Sequence, residues 1–296
     1  MDHRQIIAAL SPADRAFLTE TADGPGLRHL AGHLGAIVLI GALIHAGVPG
    51  WPVLLLPQGI LIVFLFTLLH ETLHETPFAT RSLNRAVGLF CGFALILPPG
   101  WFRYFHLAHH RHTQIPGKDP ELDSPKPETR TAYLWHISGM PVWIAQVRTL
   151  FRNALGLCRD RYVPKTRRDR IAREARVMQA GYGALLAVSL VMHSTALIWV
   201  WLLPLILGQP VLRVYLLAEH GRCAHVADML ANSRTTFTNR LVRWLAWNMP
   251  YHAEHHSLPT VPFHKLPALH ARIAPHLKET GDGYSRVTAG MFAALD

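Results

Sequence analysis

Long uncharged apolar stretches dominate the first third of the chain. Leu30 to Val48 and Trp51 to Leu69 are two of them, and the turn sequence Gly47-Val48-Pro49-Gly50 lies where they meet. About 20 apolar helical residues are enough to cross the hydrocarbon core of a bilayer. The pattern therefore predicts a first transmembrane hairpin over residues 30–69.

A second pair of apolar stretches predicts a second hairpin over residues 177–217. Val177 to Met192 and Ala196 to Leu217 form it, with the turn near Ser194. Neither hairpin turn carries Lys or Arg, whereas basic residues follow the other ends. By the positive-inside rule, both chain termini and the region between the hairpins are expected on the cytoplasmic side.

Residues 84–105 are apolar but are interrupted by Pro98-Pro99-Gly100. About 14 helical residues at 1.5 Å each are too short for a full crossing. We interpret 84–97 as a re-entrant or interfacial helix, and a third ordinary span is the alternative. A full crossing would separate the histidines on either side of it.

These elements predict an all-α integral membrane fold with about four spans, in one membrane domain over residues 1–296. Between and around the hairpins we expect polar regions on the cytoplasmic side. Residues 113–131 read as a Pro- and Asp-rich loop, and 133–176 as an interfacial helix followed by a basic stretch. The expected organisation is a cytoplasmic N-terminal segment (1–29), the first hairpin (30–69), a cytoplasmic or interfacial region (70–176), the second hairpin (177–217) and a cytoplasmic cap (218–296).

Composition agrees with a membrane protein. Half of the residues are hydrophobic, only 16% are charged, and the formal net charge is +10. A basic chain can indicate nucleic-acid binding, but basic loops between apolar runs are more typical of the cytoplasmic face of a membrane protein. The three cysteines are far apart. We therefore expect reduced thiols and no iron–sulfur centre.

Histidine provides the candidate chemistry, because many of the 20 histidines are grouped. HETLHE places two imidazoles on one helical face by its i, i+4 spacing. HLAHHRH and YHAEHH each place three imidazoles on one side of a helix by i, i+3, i+4 spacing, and a further histidine follows the fourth span. The nine candidate ligands are His70, His74, His106, His109, His110, His220, His252, His255 and His256.

Nine imidazoles exceed the coordination shell of one ion, so two ions are expected. Imidazole suits zinc, copper and iron. Iron fits best, because oxygen activation requires open coordination positions and zinc would not need so many ligands. We interpret the isolated His33, His45, His136 and His193 as packed or hydrogen-bonded residues, and we assign no histidine an acid–base role.

The order of the histidine groups resembles the membrane fatty acid desaturase superfamily, over roughly His70 to His270 and the hairpins. The stretches HHRHTQIPGKDPEL and NMPYHAEHHSLPTVPFHKLPALH look like its bacterial members. The resemblance implies a di-iron site held by the nine histidines, with dioxygen as co-substrate. Leu216 departs from stearoyl-type members, which have asparagine at that position.

Metal-bound imidazoles usually donate their other N–H to a carboxylate or carbonyl. Acidic or amide side chains that could accept such bonds follow or flank the proposed ligands. Two further histidines are candidates. His112 could support the site, and His225 could replace or assist His220. The candidates are Glu71, Glu75, Glu219, Glu254, Asp119, Asp123, Asn248, His112 and His225.

The resulting hypothesis is an oxygen-dependent oxidase that introduces a double bond into a long acyl chain. A lipid or carotenoid hydroxylase or ketolase is the alternative, and a metal transporter is disfavoured because the histidines do not lie at mid-membrane. Electrons would come from a ferredoxin-like carrier at the basic face, because no dinucleotide motif is present. Arg103, Arg222 or Arg234 could meet a lipid headgroup, and a bacterial inner membrane is the expected location.

Overall fold

The computed structural model describes residues 1–296, and almost all regular structure in it is helical. Two three-residue strands, β1 (Thr235–Phe237) and β2 (Thr280–Asp282), form one parallel pair. The α-helices are α1 (His3–Ala9), α2 (Pro12–Thr19), α3 (Asp23–His45), α4 (Leu55–Val63), α5 (Leu65–His74), α6 (Arg81–Ala94), α7 (Pro99–His112), α8 (Arg130–Ile137), α9 (Met140–Ala154), α10 (Arg168–Val191), α11 (Leu203–His220), α12 (Met229–Asn232), α13 (Arg240–Leu245), α14 (His252–Ser257), α15 (Leu266–Ile273) and α16 (Tyr284–Ala293).

Three helical segments are long and apolar enough to cross a membrane: Pro12–His45, Trp51–His74 and Ile198–His220. The second has 24 residues, which corresponds to about 36 Å of helix. α10 is not among the three, because its first turns are charged (RDRIARE). The apolar half of α10 matches the predicted third span, and its crossing of a membrane stays a prediction.

Apolar side chains face outward on the long helices. Only 11% of the 18-residue apolar stretch in Pro12–His45 is buried, and Val38, Leu39 and Val191 are among the exposed residues. Water does not tolerate a continuous apolar surface of this extent, whereas a lipid environment does. The chain is therefore built as a membrane protein.

Two glycines allow the central helices to pack closely. A Cβ atom on Gly59 of α4 would lie 2.0 Å from the Pro204 carbonyl oxygen, and one on Gly208 of α11 would lie 2.4 Å from the Gly59 backbone. Small residues at such crossings let helix backbones approach each other. This contact brings the segment that carries His70 next to the helix that ends at His220.

α6 and α7 form a bent pair with an angle of 102° between them. The bend follows from Pro98 and Pro99, which end one helix and begin the next. Because His74 at the end of α5 lies beside His106 in α7, the chain returns to the same end of the bundle after α6. This geometry agrees with the predicted re-entrant helix, although the helix begins at Arg81 and ends at Ala94.

The two predicted hairpin turns lie side by side at the opposite end of the bundle. Residues 44–51 and 192–200 line one pocket there. Trp51 and Trp199 meet edge to face, with ring centroids 5.3 Å apart. Tryptophan is enriched at membrane interfaces, so we expect the second membrane interface at this end of the bundle.

The structure differs from the sequence-based expectations in two details. The predicted all-α fold omitted the β1–β2 pair, whose three-residue strands are too short to show an alternating pattern. The single interfacial helix expected from residue 133 is two helices, α8 and α9. Gly139 has a φ of 77° and Pro141 occupies the first turn of α9, so the chain bends between them.

Candidate metal centre

Four helices deliver histidines to one end of the bundle. α5 carries His70 and His74, and α11 ends at His220. α7 and α14 each carry three histidines at the i, i+3, i+4 spacing, as predicted. The hydrophobic core lies directly beneath, where Leu68, Leu69 and Trp247 are fully buried.

Five of the nine candidate ligands form one group. One ring nitrogen from each of the five lies within 4.8 Å of the corresponding nitrogens of the others. The Nε2 atoms of His74 and His106 are 2.8 Å apart, and those of His110 and His255 are 3.2 Å apart. The five-histidine group consists of His70, His74, His106, His110 and His255.

The other four candidate ligands form a second, adjacent group. Nε2 of His220 lies 3.2 Å from Nε2 of His109 and 2.9 Å from Nε2 of His252. The fourth member, His256, has a ring nitrogen within 4.8 Å of those of His109 and His220, and its ring stacks on His110 of the first group with centroids 4.0 Å apart. The four-histidine group therefore consists of His109, His220, His252 and His256.

Hydrogen bonds fix which nitrogen carries the proton in three of these four rings. Nδ1 of His220 donates to the Asn232 carbonyl oxygen at 3.0 Å, and Nδ1 of His109 donates to Asp119 at 3.0 Å. The Thr113 hydroxyl donates to the His109 carbonyl, so it accepts from Nδ1 of His256 at 3.1 Å. Each ring therefore presents the lone pair of Nε2.

This donor set fits metal ions. Neutral Nε2 atoms at about 3 Å from each other repel unless a cation lies between them, since each presents a lone pair. Both ring nitrogens of His70, Nδ1 of His110 and Nε2 of His256 are buried without a hydrogen-bond partner. Buried unpartnered polar atoms are costly, and coordinated ions would satisfy one ring nitrogen of His70 and Nε2 of His256.

The α14 histidines are held neutral by their surroundings. Burial lowers the pKa of His252, His255 and His256 well below its usual range, and neighbouring imidazoles lower it further. Neutral imidazole is the form that binds metal. The cap therefore supplies three rings whose lone pairs are available at ordinary pH.

Carboxylates support the four-histidine group more than the other. Asp119 also accepts backbone N–H bonds from Gln114 and Glu121, so its position is fixed. Glu121 lies 3.6 Å from Nδ1 of His109. Burial would raise the pKa of Glu121, but Lys126 and His109 outweigh it and hold that pKa well below its usual value.

Two further predicted carboxylates lie beside histidines. Glu219 is 3.4 Å from Nδ1 of His252, and the fully buried Glu71 is 3.6 Å from Nδ1 of His255. Glu71 also accepts hydrogen bonds from the Thr76 hydroxyl and the Phe263 N–H. Glu71, Glu219 and Asp119 thus occupy the places expected of groups that orient metal-bound rings.

Other predicted supporting residues point elsewhere. Glu75 is exposed and faces Arg81 and Arg103, because it occupies the left-handed turn that ends α5. Glu254 is turned to the Thr235 hydroxyl and to His270. Asn248 donates to the Phe263 carbonyl, and Asp123 pairs with Arg161 at the surface.

The remaining histidines lie outside both groups. His225 is exposed in a bend and does not replace His220, and His112 is the last residue of α7 without a contact to either group. His33 is buried, donating to the Leu61 carbonyl and accepting from Trp247, as a packed histidine does. His45 and His193 line the pocket at the far end, and His136 lies on α8.

Of the three arginines suggested for a headgroup, Arg222 and Arg234 are bound to backbone carbonyls. Arg222 donates to the Ala294 carbonyl at 2.5 Å, and Arg234 donates to the Ala218 and Gly221 carbonyls. Arg103 also donates to a carbonyl, that of Leu73, but it lines an open cleft. Arg222 and Arg234 connect the cap to the end of α11.

The sequence reasoning missed three partners of the histidines: the Thr113 hydroxyl, the Asn232 carbonyl and Glu121. Thr113 directly follows the sequence HLAHHRH, so a threonine at the end of this helix was a local signal for a histidine partner. The Asn232 carbonyl reaches His220 only through the path of the chain after α11. No pattern in the sequence could have identified it.

Apolar helices that end in two adjacent imidazole groups are the features of a membrane protein that could hold metal. The sequence profile of the fatty acid desaturase family matches residues 48–288, and the chain belongs to this family. It is 26% identical to the sphingolipid delta(4)-desaturase DES1 of Drosophila melanogaster over 227 residues, which are 75% of this chain and 65% of the relative. The DES1 of Xenopus tropicalis is 28% identical over 202 residues, 67% of this chain and 58% of the relative. The matched region thus spans less than two thirds of each relative's length.

Proposed function

We propose that this protein is an oxygen-dependent di-iron desaturase that introduces a double bond into the long hydrocarbon chain of a lipid. The observation that carries the proposal is the division of nine imidazoles into two adjacent groups at one end of an apolar helical bundle. Family membership supports a lipid substrate and an oxidoreductase activity.

The five-histidine group would hold one iron and the four-histidine group the other. Bound irons would supply the oxidising power, with dioxygen, that removal of hydrogen from an unactivated C–H bond requires. Removal of two hydrogens provides two of the four electrons that reduce dioxygen to water, so an external carrier must provide two more. A ferredoxin-like acidic protein would suit the basic segment between Arg148 and Arg176.

The residues around the groups would determine where the substrate chain is oxidised. The imidazoles project from α5 and α11 directly above a core of aliphatic and aromatic side chains, which includes Leu68, Leu69 and Tyr215. An extended hydrocarbon chain that approaches the metal groups through this apolar part of the bundle would bring one methylene to them while water is excluded. Reaction outcome then depends on this placement.

The relatives' name suggests a sphingolipid as one substrate class, and a fatty acyl chain is the other. The test is expression of the chain with a reductase and ferredoxin in a host fed with deuterium-labelled saturated fatty acid or labelled saturated sphingolipid. Lipid mass spectrometry should detect a labelled product that has lost two hydrogens. The His109→Ala variant should yield none.

A hydroxylase or ketolase of the same family is the alternative, because the same metal groups could deliver oxygen to the substrate. A labelled lipid or a carotenoid that gains one oxygen, with no new unsaturated species, would establish this alternative and contradict the desaturase proposal.

The metal groups are proposed to face the cytoplasm of a bacterial inner membrane. In that arrangement, cysteines introduced at Pro49 and Ser194 should react with an impermeant thiol reagent from the outside. Labelling of position 49 from the cytoplasmic side alone would contradict it. The three native cysteines are buried, so background labelling should be low.

A further inference from the structure

An open cleft of about 730 Å³ lies beside α5, outside both histidine groups. It is formed by the end of α5, the length of α6 and the first turns of α7 and α10. Five arginines line it, against two glutamates. The arginines are Arg81, Arg85, Arg103, Arg167 and Arg170.

The carboxylates present do not neutralise these arginines. Glu75 pairs weakly with Arg81 and Arg103, at 3.6 and 3.8 Å. Neither Arg85 nor Arg170 forms an ion pair or a hydrogen bond in the structure. Burial raises the pKa of the cleft's other carboxyl, Glu174.

Helix N-termini add to the positive potential of the cleft. α6, α7 and α10 all begin at its wall without a side-chain cap, although α7 begins with Pro99, which has no N–H, and the Arg168 N–H of α10 donates to the Lys165 carbonyl. Free N–H groups at a helix N-terminus bind anions. The Gly100 N–H at the start of α7 already donates to the Glu174 carboxylate at 2.7 Å, so an oxyanion fits this wall.

Apolar residues continue the cleft towards the lipid-facing surface. Leu73 and Ile171 form part of its wall, and Leu89 of α6 is exposed at its edge, next to the exposed Phe90. A ligand that matches this distribution has a compact anionic group attached to a hydrocarbon chain. Arginines that converge from three helices suit phosphate, because its oxygens can accept several guanidinium bonds at once.

We propose that this arginine cleft binds the phosphate group of an anionic lipid. Basic pockets between helices at a membrane face have the chemistry to hold such headgroups. The cleft is separate from the proposed oxidation chemistry, and its occupancy does not depend on bound metal or on turnover.

Binding can be measured by native mass spectrometry of the full chain in a neutral detergent and phosphate-free buffer. The probe is dioctanoyl phosphatidic acid, and dioctanoylglycerol is the neutral control. The unaltered chain should bind one phosphatidic acid and no dioctanoylglycerol. Added inorganic phosphate should compete only weakly, because it lacks the hydrocarbon chain.

Variants locate the site. Arg85→Gln with Arg170→Gln should weaken phosphatidic acid binding about tenfold or more, since two charge-assisted contacts are lost. Arg148→Gln with Arg159→Gln removes the same charge from exposed positions outside the cleft and should change binding little. Glu75→Gln should strengthen binding, because it releases Arg81 and Arg103, and this exposed change does not threaten folding.

Equal loss of binding in both arginine pairs would overturn the proposal, because it would show a diffuse positive field. Unchanged binding in the Arg85→Gln, Arg170→Gln protein, or weaker binding in Glu75→Gln, would overturn it as well. Equal affinity for inorganic phosphate and phosphatidic acid would contradict the lipid assignment. None of these results depends on the desaturase activity.

Discussion

The two histidine groups differ in how their rings are held. In the four-histidine group, three rings donate Nδ1–H to a fixed acceptor: Asp119, the Asn232 carbonyl or the Thr113 hydroxyl. In the five-histidine group, only His255 has a carboxylate nearby, Glu71 at 3.6 Å, and His74 is partly exposed. One group is thus preorganised by its surroundings, whereas the other would depend on a bound metal for order.

The largest effects are expected from removing one ligand of each group. His109→Ala and His255→Ala should each abolish turnover, because both ions are needed for the proposed chemistry. Each variant should retain about one iron in place of about two, since the other group keeps its ligands. Elemental analysis of the purified proteins measures this.

His225→Ala is the matched control, because His225 is exposed and belongs to neither group. It should keep full iron content and activity. Loss of both irons in His109→Ala would show that the groups form one cooperative site and would contradict the comparison between them.

The second effect concerns the carboxylate beside His109. Asp119→Asn should lower the iron affinity of the four-histidine group by 10- to 100-fold, roughly the usual cost of losing such a partner. Competition with an iron chelator measures it. Asp123→Asn, in the same loop but paired with Arg161 at the surface, should behave as the unaltered protein does.

The spacing of the histidines predicted which imidazoles lie together, because helical geometry alone decides which side chains share a face. It could not select among the acidic neighbours. Glu71 and Glu75 each follow a histidine directly, yet Glu71 is fully buried against the cap and Glu75 is exposed. The difference arises from the left-handed turn at Glu75 and from the packing of Phe263 onto Glu71, and neither is visible in local sequence.

The fold shows the same division. Apolar length predicted the long helices and the interruption at Pro98, because both follow from local chemistry. The parallel pairing of β1 with β2 joins residues about 45 positions apart in the chain, so it depends on tertiary packing of the cap. The close approach of Gly59 to Gly208 likewise depends on a helix crossing that no periodicity encodes.

The third prediction concerns the order of metal loss. A chelator should remove iron from the five-histidine group first, since His74 is partly exposed and few outer contacts restrain its rings. Iron release should therefore have two phases of similar amplitude. Asp119→Asn should accelerate only the slow phase. If it accelerates only the fast phase, the assignment of the two groups is reversed.

The smallest expected effect comes from the Thr113 hydroxyl. It donates to the His109 carbonyl and accepts from Nδ1 of His256, so it keeps the lone pair of His256 on Nε2. Thr113→Val removes both hydrogen bonds, but only the one from His256 orients a proposed ligand, and one neutral hydrogen bond is worth about 1 kcal/mol, or about fivefold in affinity. We expect this loss of affinity to change only the slow phase of iron release to the chelator. Thr113→Ser keeps the hydroxyl and should release iron at nearly the original rate. If serine is as harmful as valine, the methyl group matters through packing, and the tautomer of His256 is fixed by something else.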